Sequence, residues 1–157
     1  MPRATRTQFT QAISEAETVH VATHGVVNGY RPWESFLAFS GSTGKLPLPE
    51  ISSLKTSADL VVLWACDTGR GKVLEGEGVW GFQAQFLAAG AKNVVASLWR
   101  VADESTAQFM AKFYRVLLST TSKSYAAILH QAKLDLMANE KWRHPRFWAP
   151  FILYGSP

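Results

Sequence analysis

The feature that most constrains the fold is the run ADLVVLWA at residues 58–65, which is apolar on both faces. A strand of this kind is typical of the centre of a parallel sheet, where helices cover both sides. Stretches with apolar residues three to four positions apart, at 6–17, 79–89 and from about 103 onward, indicate helices around it. Strands that alternate with helices form parallel βαβ units. The sequence therefore predicts an α/β fold, a three-layer α/β/α sandwich around a mainly parallel sheet.

Only four or five strands can be found in the chain. Besides 58–65, the strand-like runs are 19–23, 92–99 and the end of WAPFILYG at 148–155, while the Gly- and Pro-rich stretch 26–50 predicts a loop leading into a small hairpin or edge strand. A length of 157 residues suits one domain, 1–157. Because the first strand begins only at residue 19, we expect a sheet that is incomplete at one edge. An uncovered edge strand favours self-association.

Composition and charge exclude several classes of protein. The net charge is +4, but the basic residues are scattered, so no nucleic-acid partner is expected. No apolar stretch approaches the roughly 20 residues of a membrane-spanning helix, and the N-terminus lacks the apolar part of a secretory signal. The chain has one cysteine and four histidines without metal-ligand spacing. We therefore expect a cytoplasmic protein with no disulfide, metal site or cofactor.

The two residues with the clearest chemical potential follow two of the predicted strands. His24 comes after the run at 19–23, and Cys66 comes after the run at 58–65, 42 residues later. Functional groups collect beyond the carboxyl ends of parallel strands, so both side chains are expected at the same rim. A thiolate nucleophile with an imidazole acid/base fits this layout, with the N–H groups of Gly25 and Cys66 facing a developing oxyanion. A buried structural cysteine beside a capping histidine fits the spacing as well.

Four segments together resemble one known family, the CHAT domain. They are VHVATHG at 19–25, ADLVVLWACDTG at 58–69, FLAAGAKNVVASLWRVADESTAQFM at 86–110 and HPRFWAPFILYG at 144–155. The CHAT domain is a caspase-like peptidase domain that is often joined to tetratricopeptide repeats. The segments are also similar, more distantly, to the separase protease domain. The resemblance covers about residues 4–155.

The resemblance implies specific roles for four residues. His24 matches the catalytic histidine, Cys66 the nucleophile, and Gly25 the glycine whose amide helps to hold the oxyanion. Asp103 matches an acidic residue that, in the separase relatives, contributes to a pocket for a basic P1 side chain. The resemblance thus implies a cysteine endopeptidase that cleaves proteins or peptides after Arg or Lys. It also implies a tetratricopeptide-repeat region or partner chain, and a domain that lacks the N-terminal strands of its relatives.

Several residues near these motifs have open alternatives. Asp103 is equally suited to cap the following helix. Asp67, directly after the proposed nucleophile, either raises the thiol pKa or binds a cationic substrate residue, and we favour binding. Trp64 stands where many relatives have serine, so it either crowds the rim or packs below it. His20 is expected to face a helix layer without a functional role, and Trp99 and Trp148 are expected to pack beneath the site.

Two alternatives to an active peptidase follow from the same residues. One is a non-catalytic signalling or scaffold module that has kept the fold. The other is a competent domain that is inactive without its N-terminal partner segment. Both alternatives predict a folded chain. In both, the thiol of this chain does not act as a catalytic nucleophile, whereas in an active peptidase it does.

Overall fold

The computed structural model describes residues 4–64, 78–120 and 124–155, with the backbone alone for 78–80. The five helices of this part are α1 Arg6–Ala12, α2 Leu48–Ile51, α3 Gly78–Ala88, α4 Asp103–Ser119 and α5 Tyr125–Met137. Its seven strands are β1 Thr18–Ala22, β2 His24–Val26, β3 Phe36–Ala38, β4 Lys45–Pro47, β5 Leu60–Trp64, β6 Asn93–Ser97 and β7 Phe151–Gly155. Short 3-10 helices span Pro32–Glu34, Glu140–Trp142 and Pro145–Phe147.

The main sheet has four strands in the order β1-β5-β6-β7, and its first three strands are parallel. Every residue of β6, and every residue of β5 except the half-buried Trp64, is buried. The prediction of a mainly parallel sheet with the 58–65 run at its centre is confirmed. β7 is antiparallel to β6. The reason is that two packed helices, α4 and α5, connect these strands, so the chain returns to the end of the sheet where β6 finished.

A second, smaller sheet forms from the Gly- and Pro-rich stretch. It has three antiparallel strands in the order β2-β3-β4. Only Thr23 separates β1 from β2, and its hydroxyl donates a hydrogen bond to the carbonyl oxygen of Ala38. His24 is therefore the first residue of a new strand, whereas the sequence had suggested a loop after β1.

The main sheet has a hydrophobic core on each face, which makes the three predicted layers. On one face, Val19, Val21, Val61 and Leu63 pack with Phe82 and Phe86 of α3 and with residues of the small sheet. The other face carries Leu60 and Val62 of β5 and Val95 of β6. These contact α4, α5 and β7 through Phe109, Met110, Phe113, Ile128, Leu129, Ala132, Leu136 and Phe151. Burial of these side chains at roughly 25 cal/mol per Å² is the main stabilising term of the fold.

One helix end and one helix cap differ from the sequence prediction. α1 ends at Ala12, earlier than the predicted residue 17, although a capping box between Thr5 and Gln8 starts it where expected. α4 begins at Asp103 with Ala102 as its N-cap, and no side chain caps it. The hydroxyl of Ser105 instead donates a hydrogen bond to the carbonyl oxygen of Ala102, at 2.8 Å. The suggestion that Asp103 caps this helix is therefore wrong.

β1 occupies one edge of the main sheet, since no described strand pairs with its outer side. That this edge lacks strands present in relatives, and that it favours self-association, stay predictions. Among the helices described, none has the length and apolar character needed to span a bilayer.

Candidate active site

The site is built on the register between β1 and β5. These strands are parallel, and their last residues, Ala22 and Trp64, are partners. His24 follows Ala22 by two residues. Cys66 follows Trp64 by two residues, and Cys66 and the adjacent Asp67 lie outside the described residues. The part of the site that is described therefore contains the histidine and the surface around it.

A cavity of about 760 Å³ opens at this end of β1. All five consecutive residues from His20 to His24 line it. Successive side chains of a strand point to opposite faces, so a cavity on one face would contact only every second residue. The cavity therefore reaches both faces of β1 near the carboxyl end of the strand. Its remaining walls are Ala4, Phe9, Ala38, Phe39, Ser40, Trp64, Arg100 and Asp103.

His24 lies in the wall of this cavity, exposed, as the first residue of β2. In the antiparallel register it stands opposite Ala38. No side chain within the described ranges hydrogen bonds with its imidazole, so both ring nitrogens are available to a substrate or to a second catalytic group. Gly25 is buried and stands opposite Leu37. Of the two predicted residues of this strand, the structure places His24 in the cavity wall, while Gly25 does not line the cavity.

Asp103 also lines this cavity, as the first residue of α4. Its carboxylate has no cap function, and it is exposed. Arg100, on the loop between β6 and α4, also lines the cavity. No ion pair joins Arg100 to Asp103 or to another acidic residue in the described part of the chain. Sequence reasoning missed Arg100 because nothing in the SLWRVADEST string distinguishes it from a surface residue.

His20 is a second imidazole in the cavity wall. Its Nδ1 lies 2.8 Å from the hydroxyl of Tyr114 in α4, and the two rings are stacked with centroids 5.5 Å apart. The predicted contact with a helix layer is confirmed, but the position in the cavity was not foreseen. Loss of water around the ring lowers the pKa of His20, and burial raises the pKa of Tyr114 to about 12.

The tryptophans near the site differ in position. Trp64 is half-buried and forms part of the cavity wall. Trp99 is 41% exposed, so the expectation that it packs beneath the site is wrong. Its indole N–H instead donates a hydrogen bond to the carbonyl oxygen of Arg146, at 3.3 Å. Across the described residues, no group of three or more His, Cys, Asp or Glu side chains is arranged to hold a metal ion.

Comparison with known proteins gives two kinds of match. The family model for the CHAT domain matches residues 1–156. The human protein named tetratricopeptide repeat protein 28 (Homo sapiens) is 34% identical over 111 residues, and its mouse counterpart (Mus musculus) is 33% identical over the same length. These matches cover 71% of this chain and 4% of each relative.

The chain therefore corresponds to a small part of these long relatives, whose names describe tetratricopeptide repeats. The family match, in contrast, spans nearly every residue, including both strands that lead to the site and the loop between β6 and α4. The α/β sheet described above is of the caspase-like type. This chain belongs to the CHAT domain family.

Proposed function

We propose that this chain is a cysteine endopeptidase domain in which Cys66 is the nucleophile and His24 the acid/base. The observation that carries the proposal is the pairing of Ala22 with Trp64 at the ends of two adjacent parallel strands. His24 and Cys66 follow this pair by the same number of residues. Adjacent strands lie about 4.8 Å apart, and two residues extend the chain by at most about 7 Å. We propose that both groups reach one peptide bond from these positions.

The reaction follows from the chemistry of these groups. The Cys66 thiolate attacks a peptide carbonyl carbon, and the N–H groups of Gly25 and Cys66 stabilise the resulting oxyanion. His24 then protonates the leaving amine as the C–N bond breaks, which leaves a thioester on Cys66. Water hydrolyses the thioester, with His24 taking a proton from it. The free imidazole of His24 in the cavity wall supports this role.

The proposed substrate is a protein segment with Arg or Lys at P1. Asp103 supports this preference because its carboxylate is exposed, lines the cavity and makes no ion pair with another described residue. Asp67 is proposed as a second contact for a cationic side chain. Since the relatives are named for tetratricopeptide repeats, we propose that a repeat region or a repeat-containing partner delivers the substrate.

Covalent labelling tests the proposal. The purified chain is treated with a peptide acyloxymethyl ketone that has Arg at P1, and the product is measured by intact mass. We expect one adduct on the parent protein and none on Cys66→Ala or His24→Ala. His130→Ala is the matched control, because His130 is an exposed histidine on α5, and it should label like the parent.

Iodoacetamide distinguishes the alternatives. A folded protein whose Cys66 reacts with iodoacetamide but not with the ketone would contradict the peptidase proposal. That outcome would favour a scaffold module, for which the repeat-protein names of the relatives are the supporting observation. If the ketone then reacted after addition of the segment that precedes the domain in relatives, the domain would be a peptidase that needs that partner.

A further inference from the structure

We propose that Thr23 is a positioning residue of this site: its hydroxyl fixes the direction of the chain at the start of β2, and with it the positions of the His24 imidazole and the Gly25 N–H. The inference rests on the proposed peptidase function and names a further residue on which that reaction depends. It is carried by the hydrogen bond from the Thr23 hydroxyl to the carbonyl oxygen of Ala38 and by the register that sets Ala38 opposite His24.

Thr23 connects two sheets. It is the single residue between β1, a strand of the main sheet, and β2, a strand of the small sheet. A residue has only two backbone dihedral angles that rotate easily, so the conformation of Thr23 largely sets how β2 departs from β1. Threonine suits this place because its branched Cβ restricts the side-chain rotamer, which keeps the hydroxyl in one direction.

The hydroxyl of Thr23 ties this junction to the small sheet. Ala38, which accepts its hydrogen bond, is the last residue of β3 and the partner of His24 in the antiparallel register. The bond is partly buried, so water replaces it only in part when the donor is removed. β2 and β3 pair over three residues, and in so short a ladder one side-chain bond is a large share of what fixes the start of β2.

His24 depends on its backbone for its position. No side chain in the described ranges hydrogen bonds with its imidazole, so none of them orients the ring as the carboxylate of a catalytic triad does. A general acid must lie within about 2.6–3.2 Å of the atom that it protonates, and an oxyanion donor within about 2.7–3.1 Å of the oxyanion. A misplacement of about 1 Å can lower the rate by about 100-fold. Because Gly25 follows His24 in the same strand, the Thr23 hydroxyl holds both groups at once.

The catalytic effect is tested with three variants and a fluorogenic peptide that has Arg at P1. Thr23→Val keeps the branched shape and removes the donor, whereas Thr23→Ser keeps the donor. Thr56→Val is the matched control. The Thr56 hydroxyl also donates a partly buried hydrogen bond to a backbone carbonyl, that of Ile13 at 2.8 Å. Thr56, however, precedes β5 and does not line the cavity, which lies where β5 ends.

We expect Thr23→Val to lower kcat by about tenfold or more and to leave KM within about twofold, because misaligned reacting groups impair the transition state and not the binding of substrate. Thr23→Ser should keep kcat within about threefold of the parent. Thr56→Val should lower the melting temperature about as much as Thr23→Val does and keep kcat within about twofold. A rise in KM with unchanged kcat in Thr23→Val would mean that Thr23, which lines the cavity, contacts the substrate, and would overturn the inference.

A second readout needs no activity. ¹H–¹³C spectra of the full chain report the surroundings of the His24 ring, whose signal is identified by its loss in His24→Ala. We expect this signal to shift or broaden in Thr23→Val and to keep its parent position in Thr23→Ser and Thr56→Val. An unchanged His24 signal in Thr23→Val would overturn the inference.

The outcomes separate this inference from the peptidase proposal. If the parent cleaves the peptide and Thr23→Val keeps its kcat, the inference fails while the peptidase proposal stands. The same holds if Thr56→Val loses as much kcat as Thr23→Val, or if Thr23→Ser is as impaired as Thr23→Val. If Thr23→Val does not fold, Thr23→Ala takes its place, and failure of both to fold would overturn the inference because Thr23 would then be purely structural. If the parent neither cleaves the peptide nor reacts with the ketone, both proposals fail together.

Discussion

Ala22 of β1 lies directly opposite Trp64 of β5 in the parallel register of the main sheet. This register aligns the ends of the two strands from which His24 and Cys66 follow. A slip of one residue would turn Val19 and Val21 out of the core, because alternate residues of a strand face opposite sides. The hydrophobic pattern of β1 that holds the core together therefore also fixes the position from which His24 begins β2.

The acidic residue in the cavity should determine P1 preference. We expect Asp103→Asn to reduce kcat/KM for a peptide with Arg at P1 by about 10- to 100-fold, because a cationic side chain loses its charged partner. Glu104→Gln is the matched control: Glu104 is the next residue, pairs with Lys141 at 2.5 Å and does not line the cavity. The measurement is cleavage of paired Arg and Gln peptides. Equal effects of the two substitutions would contradict the assignment of Asp103.

The hydrophobic core between the main sheet and the helices α4 and α5 should lose much stability when a side chain between α4 and β7 is truncated. The rings of Phe109 and Phe151 are stacked with centroids 3.9 Å apart, and Phe109 is fully buried. Phe109→Ala should lower the free energy of unfolding by about 3–5 kcal/mol. Leu118→Ala on the same helix should change it by less than about 0.5 kcal/mol, because Leu118 is 84% exposed. Urea unfolding followed by circular dichroism measures both, and similar losses would mean that this contact is not part of the core.

The end of α3 requires a glycine. Gly90 has φ +111°, and a Cβ there would lie 2.4 Å from the carbonyl oxygen of Thr56. Gly41 has a similar φ of +99° but open space around the Cβ position. Alanine at either site costs about 1–2 kcal/mol of backbone strain, and at Gly90 the clash adds to it. Gly90→Ala should therefore lower the melting temperature clearly more than Gly41→Ala, and equal shifts would refute the clash.

The stability of the fold should fall in mild acid because of His20. Desolvation lowers the pKa of His20 in the folded state below its ordinary value of 6.5. As pH falls below 6.5, the unfolded chain binds a proton at His20 before the folded chain does, so the free energy of unfolding decreases. Well above pH 6.5 the ring is neutral in both states, and His20 does not lower the free energy of unfolding. Tyr114 contacts the ring, and Arg100, Asp103 and His24 line the same cavity; all four stay unchanged in His20→Gln.

Urea unfolding at pH 7.5 and at pH 5.0 measures this effect. The parent protein should lose more stability between the two conditions than His20→Gln does. A larger loss in the variant would mean that His20 is stabilised as a cation in the fold, contrary to the desolvation argument.

Local sequence patterns predicted most elements of this protein. The apolar run at 58–65 identified β5, and the periodicity at 79–89 with Gly90 identified α3 and its end. These predictions succeed because side-chain period and chain breaking are properties of neighbouring residues. The N-cap of α4 was less predictable than its start, since Ala102 acts as N-cap without a side-chain hydrogen bond and leaves no signal in the sequence.

The sequence by itself identified the strands of the main sheet and the helices α3, α4 and α5, and it placed His24 after β1 and Cys66 after the run that contains β5. Only the tertiary structure decided that β1 is an edge strand among the described strands, that β7 runs antiparallel, and that one cavity is lined by every residue from His20 to His24. The contact between His20 and Tyr114 joins residues 94 positions apart. Such relationships depend on how both faces of the sheet are covered, and that packing involves the whole chain at once.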